Sequence, residues 1–266
     1  MSGRRFVIFN ADDYGLTDGV CRGINEAVAS GVVRATTAMV CTSGSRSNIE
    51  RWAPGLAGGN IGVHLQLTEG RACLDPGEIP TLVNADGEFP SSPADIVEPS
   101  PTEIRAEWSA QIERLRSWGV EPTHLDSHHH VGLKPGIVDA YLSTAAAAGL
   151  PARTTSSELA SRLRALGGGA GLPCVDLSMT SWYDADLTEK GLLRRIEAAF
   201  NRIHGYGTLE VMCHPGFADP ELAARSKYVR QRETELRVLT SSRLTRGLDR
   251  LDVEVSSMSG MLQAAA

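Results

Sequence analysis

Two adjacent carboxylates, Asp12-Asp13, end the apolar run Phe6-Val7-Ile8-Phe9 near the start of the chain. Side by side they repel, and each favours water or a cation that offsets its charge. Three later segments supply imidazoles: Gly62-Val63-His64-Leu65, His124-Leu125-Asp126-Ser127-His128-His129-His130 and Cys213-His214-Pro215-Gly216. In the second, His124, Asp126, His128 and His130 alternate, so an extended chain carries all four on one face. Such a stack on a buried strand is costly unless the groups bind one another or a ligand. Carboxylates and imidazoles together are ligands for a divalent ion, and beside that ion they serve as acids and bases. The chemistry they predict is metal-assisted hydrolysis, with an activated water as nucleophile. Each piece alone also has a plainer reading: an aspartate pair caps a helix, and a single strand histidine is often structural.

These residues need elements to bring them together. After the first strand, Thr17-Asp18 caps a helix running to about Ser30, with Val20, Ile24, Ala27 and Val28 as its apolar stripe. Further strands are expected over residues 34–42, 61–67, 123–128, 175–179, 208–213 and 251–255, with a short one at 152–153. Helices are expected over 45–56, 102–118, 135–148, 157–166, 188–203 and 220–248. Gly58-Gly59 reads as a turn. Gly167-Gly168-Gly169 reads as a flexible joint and not a phosphate loop, because no Lys-Ser/Thr follows it. Strand and helix alternate seven or eight times, which implies an α/β fold with a parallel sheet. Pattern alone leaves a closed (β/α) barrel and an open doubly wound sheet both standing. The barrel gains weight because His and Asp residues end at least four strands, and barrel strand ends converge on one mouth. Residues 1–266 read as one domain. Its one irregular stretch, 69–101, is rich in Pro, Gly, Asp and Ser with a turn at Asp86-Gly87, and reads as a surface insertion or a lid.

The bulk numbers narrow the partners. The chain has 266 residues, 42% hydrophobic, enough for a sizeable core. A net charge of -6 without a basic stripe argues against nucleic acid and anionic membrane. No apolar run is long enough to span a bilayer, and the four apolar residues after Arg4-Arg5 are too few for a signal-peptide core. Five scattered cysteines with no C-x-x-C pair indicate reduced thiols, so a cytoplasmic location is expected. The sequence does not decide between a monomer and a homodimer.

The four motifs, Asn10-Ala11-Asp12-Asp13-Tyr14-Gly15, Gly62-Val63-His64-Leu65-x-Leu67-Thr68, His124 to His130 and Cys213-His214-Pro215-Gly216, resemble in order those of the YdjC/ChbG-like carbohydrate deacetylases, which include HpnK-type deacetylases. The resemblance runs from residue 5 to about 255, and Arg232-x-x-Glu235-Leu236 is similar to the family's late helix signature. It implies a barrel of the polysaccharide-deacetylase type. It also implies hydrolysis of an N-acetyl group from an amino sugar, either a chito-oligosaccharide or an N-acetylglucosaminyl glycoside. Carried over by position, Asp13, His64 and His128 would hold the metal, Asp12 would be the general base, and His214 an acid or substrate contact. Spacing by itself does not decide which of Asp12 and Asp13 binds the ion. One departure is Gly132, where family members continue the histidine alternation; the expected difference is at the outer rim of the site. Asp126 is expected behind the ligands, orienting a histidine, with His124 and His130 nearby. Tyr14, Arg153 and Tyr183 are candidate sugar contacts, and Trp182 reads more readily as packing. A mixed N/O set suits one Zn, Co, Ni or Mn ion, and also tolerates Mg. Competing readings are a non-catalytic sugar- or metal-binding protein on the same scaffold and a phosphoester hydrolase.

Overall fold

Alternation along β1 (Arg5–Tyr14) sorts its side chains into two layers. Val7, Phe9 and Ala11 enter the large apolar cluster shared with the helices. Ile8, one step out of phase, packs instead with Ala35, Val175 and Met258. Asn10 and Asp12 continue the Ile8 face and hydrogen-bond to each other at 2.8 Å. One face of β1 therefore meets helices, and the other lines an interior that is apolar below and polar above.

The computed structural model describes residues 3–56, 60–167, 172–184 and 186–265. After β1 come α1 (Asp18–Ser30), β2 (Val33–Ala38), α2 (Ser45–Trp52), β3 (Ile61–Leu65), α3 (Pro101–Ser117), β4 (Leu125–Ser127), α4 (Val138–Ala148) and α5 (Ser157–Leu166). They are followed by β5 (Leu177–Met179), α6 (Glu189–Arg202), β6 (Gly207–Cys213), α7 (Pro220–Arg225), α8 (Arg230–Leu239), α9 (Ser242–Arg250), β7 (Val253–Val255) and α10 (Met258–Ala265). The strand order is β4-β3-β2-β1-β6-β5, with β7 also pairing β1, and every pairing is parallel. Residues 151–154 join the two ends of this sheet. Leu125 N–H donates to Pro151 O at 2.9 Å, Arg153 N–H to Leu125 O at 3.0 Å, and Ser178 N–H to Thr154 O at 3.0 Å. The ring of backbone hydrogen bonds makes the fold a parallel α/β barrel. Beyond the ring, β7 pairs only with Arg5–Val7 of β1, below the point where β2 begins its pairing at Phe9.

Several strands are shorter than their apolar runs. The strand expected over 123–128 is Leu125–Ser127. At His128 the chain turns into a 3-10 segment, and His129 and His130 adopt positive φ of 52° and 53°. The expected single face of His124, Asp126, His128 and His130 therefore breaks after Asp126, because a left-handed residue ends an extended chain. The expected helix over 220–248 is three helices, α7, α8 and α9. Gly132 is corrected as well. A Cβ there would lie 2.5 Å from the ring of buried Tyr141, so the position faces the interior and not the rim. The turn at Gly58-Gly59 and the Gly168-Gly169 part of the joint lie outside the described residues.

The 69–101 stretch is a packed wall. Its Ile79, Leu82 and Phe89 are buried in the main core. The Glu107 carboxylate on α3 accepts the N–H groups of Cys73 and Leu74, and Gly87 takes positive φ in the turn after Asp86. Gly62 has a different duty. A Cβ at this position would sit 2.6 Å from His124 O and 2.7 Å from the His124 ring, so only glycine lets that imidazole lie across β3. Gly62→Ala is expected to destabilise the protein by about 1–3 kcal/mol, read as a lowered midpoint in urea unfolding; an unchanged midpoint contradicts this packing.

Candidate metal-dependent active site

At the upper end of the barrel β1 delivers Asp12 and Asp13, β3 delivers His64, β4 leads into His128, and β6 leads into His214. Asp13 bends the chain inward with φ of 69°. Its Oδ1 lies 3.3 Å from His64 Nε2 and 3.3 Å from His128 Nδ1, and those two nitrogens are 3.3 Å apart. Oδ1 is buried and has no hydrogen-bond partner. With metal–ligand bonds of about 2.1 Å, three atoms spaced in this way subtend about 104° at a common centre, between octahedral and tetrahedral angles. The donor set therefore fits one divalent ion. Asp12, His64 and Asp126 also cluster, but the oxygens of Asp12 and Asp126 are already committed to other partners.

Arg153 accounts for those commitments. Its guanidinium is bidentate on Asp12, at 2.6 and 2.7 Å, and also meets Asp126 at 2.9 Å and Glu210 at 2.8 Å. Burial alone would raise the Asp12 pKa, yet Arg153 holds it well below the usual carboxylate range. Asp126 uses its other oxygen to accept from His64 Nδ1 at 2.6 Å, which turns Nε2 toward Asp13. Beneath them, Asn10 Oδ1 pairs with His124 Nε2 at 2.8 Å, and burial, with Arg153 nearby, holds His124 down at about 3 and so neutral. Four buried carboxylates (Asp12, Asp13, Asp126 and Glu210) thus share two guanidiniums, Arg153 and Arg232. The excess negative charge shows in His64. Burial opposes its charge, but Asp126, Asp13 and Asp12 push its pKa up to about 10. The centre attracts positive charge, whether as protons or as a cation.

Around this centre lies a cavity of about 410 Å³ lined by Asp12, Asp13, His128, Tyr183, His214 and Arg232, among others. His214 is held by its backbone N–H, which donates to Glu235 at 2.5 Å, and its Nδ1 is buried without a partner. Burial pushes the His214 pKa down to about 4, against the pull of Asp13 and Asp12. Glu235 also accepts from Tyr228 Oη, and burial raises Glu235 to about 7. Tyr183 is half exposed and stacks on Tyr228 with ring centroids 4.2 Å apart. His130 lines the cavity with a buried, unpartnered Nδ1, and Glu69 reaches His128 Nε2 at 3.4 Å.

Two expected sugar contacts lie elsewhere. Arg153 is 2% exposed with its nitrogens engaged by carboxylates, so it has nothing left to offer a hydroxyl. Tyr14 is buried and donates its hydroxyl to Asn25 on α1 at 3.0 Å, away from the cavity. Trp182 is buried in the core. Sequence reasoning gave no role to Arg232, Tyr228 or Glu210. Two carried a signal: Glu210 as a lone charge inside the apolar run Leu209 to Cys213, and Arg232 as the first residue of the late helix signature Arg232-x-x-Glu235-Leu236.

Fold and site together define a parallel α/β barrel with a buried Asp-His-His centre at its strand ends. The model of the family described as YdjC-like protein matches residues 6–250, and the chain belongs to that family. It is 37% identical over 240 residues to a carbohydrate deacetylase of Geobacillus stearothermophilus, covering 90% of this chain and 91% of the relative. It is 38% identical over 247 residues to a chitooligosaccharide deacetylase of Serratia marcescens, covering 90% and 92%. A crystal structure from Enterococcus faecalis, described as that of a putative cellobiose-phosphate cleavage protein, superposes with a TM-score of 0.84 at 29% identity over 96% of this chain and 98% of that one. A lactam utilization protein of Thermus thermophilus shares the fold alone, with a TM-score of 0.52 at 16% identity over 95% and 99%.

Removing Arg153 takes away the guanidinium that three buried carboxylates share. Arg153→Met is expected to cost about 3–5 kcal/mol in urea unfolding. Arg153→Lys keeps the charge and is expected to cost less; equal losses would mean that the guanidinium's shape, and not its charge, holds the interior.

Proposed function

We propose that this protein is a metal-dependent carbohydrate deacetylase that hydrolyses the N-acetyl group of an amino-sugar substrate, a chito-oligosaccharide or an N-acetylglucosaminyl glycoside. The observation that carries the proposal is Asp13 Oδ1, buried and without a hydrogen bond at 3.3 Å from two imidazole nitrogens. It lies in a cavity that also holds Asp12 and His214, in a chain whose relatives are named deacetylases. Asp13, His64 and His128 would hold one divalent ion, with Zn and Mg the first candidates and Co, Ni and Mn also suited to the set. The ion would supply an acidified water and polarisation of the acetyl oxygen.

The chain's own groups do the remaining work. Arg153 keeps Asp12 ionised, and Asp12 Oδ2, bonded to Arg153 Nη1, keeps a second lone pair with which it would take the proton of the attacking water. Asp126 fixes the ring of His64 and keeps its Nε2 directed at the ligand set. His214 rests neutral. Negative charge building on the acyl group raises its proton affinity, so it would take up one proton from solvent and pass it to the departing amine, while the proton taken by Asp12 returns to solvent. The stacked Tyr183 and Tyr228 offer a flat face on which a pyranose ring can lie. A binding-only protein on this scaffold would need the ligand set but neither Asp12 nor His214 in the cavity, which favours the enzyme.

The tests separate the two aspartates. With added divalent metal the protein is expected to release acetate from an N-acetylglucosamine-containing glycoside, and chelation should stop it. Asp12→Asn should keep bound metal and lose about 100-fold or more of kcat, whereas Asp13→Asn should lose the metal itself. Acetate release that survives both chelation and His64→Ala sinks the mechanism.

The pH dependence of metal binding follows from His64. Its folded pKa is raised to about 10 by Asp126, Asp13 and Asp12, against burial, so at neutral pH a proton occupies the ring and must leave before the nitrogen can ligate. Metal affinity is expected to rise with pH, about tenfold per unit for each proton released, and to flatten as pH approaches that value. Calorimetry in two buffers of different ionisation enthalpy counts the protons; a count of zero contradicts the assignment of His64.

A further inference from the structure

Five buried polar atoms without a hydrogen-bond partner belong to side chains lining the same cavity: Asp13 Oδ1, His128 Nε2, His130 Nδ1, His214 Nδ1 and Arg232 Nη1. Arg232 stands apart because it is a permanent cation. It is 3% exposed, and its other nitrogens are occupied, Nη2 donating to Asp13 Oδ2 at 2.5 Å and Nε to Tyr228 O at 3.0 Å. Among the described residues lining the cavity it is the only arginine or lysine. Leaving a guanidinium N–H dry and unpaired is expensive, so a ligand oxygen at Nη1 would relieve a cost that the fold itself carries.

Resting on the deacetylase reading, we propose that Arg232 is a catalytic residue whose Nη1–H donates to the acyl oxygen of the substrate and then to the carboxylate of the product. The chemistry selects this use. Water adds to the acyl carbon, the carbon–nitrogen bond breaks, the amine nitrogen takes a proton, and the acyl group leaves as acetate. The amide oxygen starts neutral and ends as part of an anion. A fixed guanidinium donor therefore binds the later states more tightly than the substrate, which is the condition for lowering the barrier. A purely positioning role, steadying Asp13 through Nη2, would leave Nη1 without a task.

The test titrates sodium acetate into metal-loaded wild type, Arg232→Gln and Arg232→Lys by calorimetry. Bound metal and melting temperature are measured on the same samples. Expected results are at least tenfold weaker acetate binding in Arg232→Gln with metal retained, and partial recovery in Arg232→Lys. On an N-acetylated amino sugar, kcat should fall about 100- to 1,000-fold with little change in KM. Acetate binding and kcat per bound metal equal to wild type overturn the proposal, as does loss of metal in both variants, because the guanidinium then serves Asp13 alone. Turnover by a wild type that binds no acetate also overturns it. Arg232-dependent acetate binding in a protein that hydrolyses no N-acetyl sugar would instead retire the deacetylase reading and keep the acetate site.

Discussion

The interior of this barrel is organised by one guanidinium. Arg153 comes from a short extended segment between α4 and α5, is almost wholly buried, and meets Asp12, Asp126 and Glu210 at once. Buried charges survive only when paired and hydrogen-bonded, and here one cation answers for three anions from three different strands. The shortfall is passed upward. Arg232 offsets one oxygen of Asp13, and His64 is driven toward its protonated form. An ion held by Asp13, His64 and His128 would complete the same electrostatic account.

This layering explains why neighbouring aspartates differ. Asp12 is locked by Arg153 beneath the cavity, so it is ionised, with Oδ1 shared by Arg153 and Asn10 and Oδ2 bonded to Arg153. Asp13 has left-handed backbone geometry and turns one oxygen toward the imidazoles, 3.3 Å from each and without a hydrogen bond. A single residue step along a strand, combined with one unusual φ, gives two chemically different carboxylates from one dipeptide.

Much of the scaffold was legible in the sequence. Apolar runs bounded by turn residues marked the strands, and the recurrence of Asp and His at their ends pointed to the barrel mouth. The misreadings have physical causes. The histidine run looked like one strand face because periodicity carries no information about where a chain enters left-handed geometry, as it does at His129 and His130. Arg153 read as a sugar contact because an arginine near a strand end resembles a surface donor, and its three carboxylates come from positions 12, 126 and 210. Tyr14 follows the aspartates in sequence, but its hydroxyl points to Asn25 on the helix side. Arg232 lies on a helix far along the chain, and only the tertiary fold shows that it reaches Asp13.

The central claim is that Asp13, His64 and His128 form the cation site. Anomalous diffraction from crystals grown with Mn or Zn tests it most directly. The account predicts one strong peak bonded to Asp13 Oδ1, His64 Nε2 and His128 Nδ1. A peak at another cluster such as Cys41, Cys73 and Glu107, with none at this centre, would contradict it.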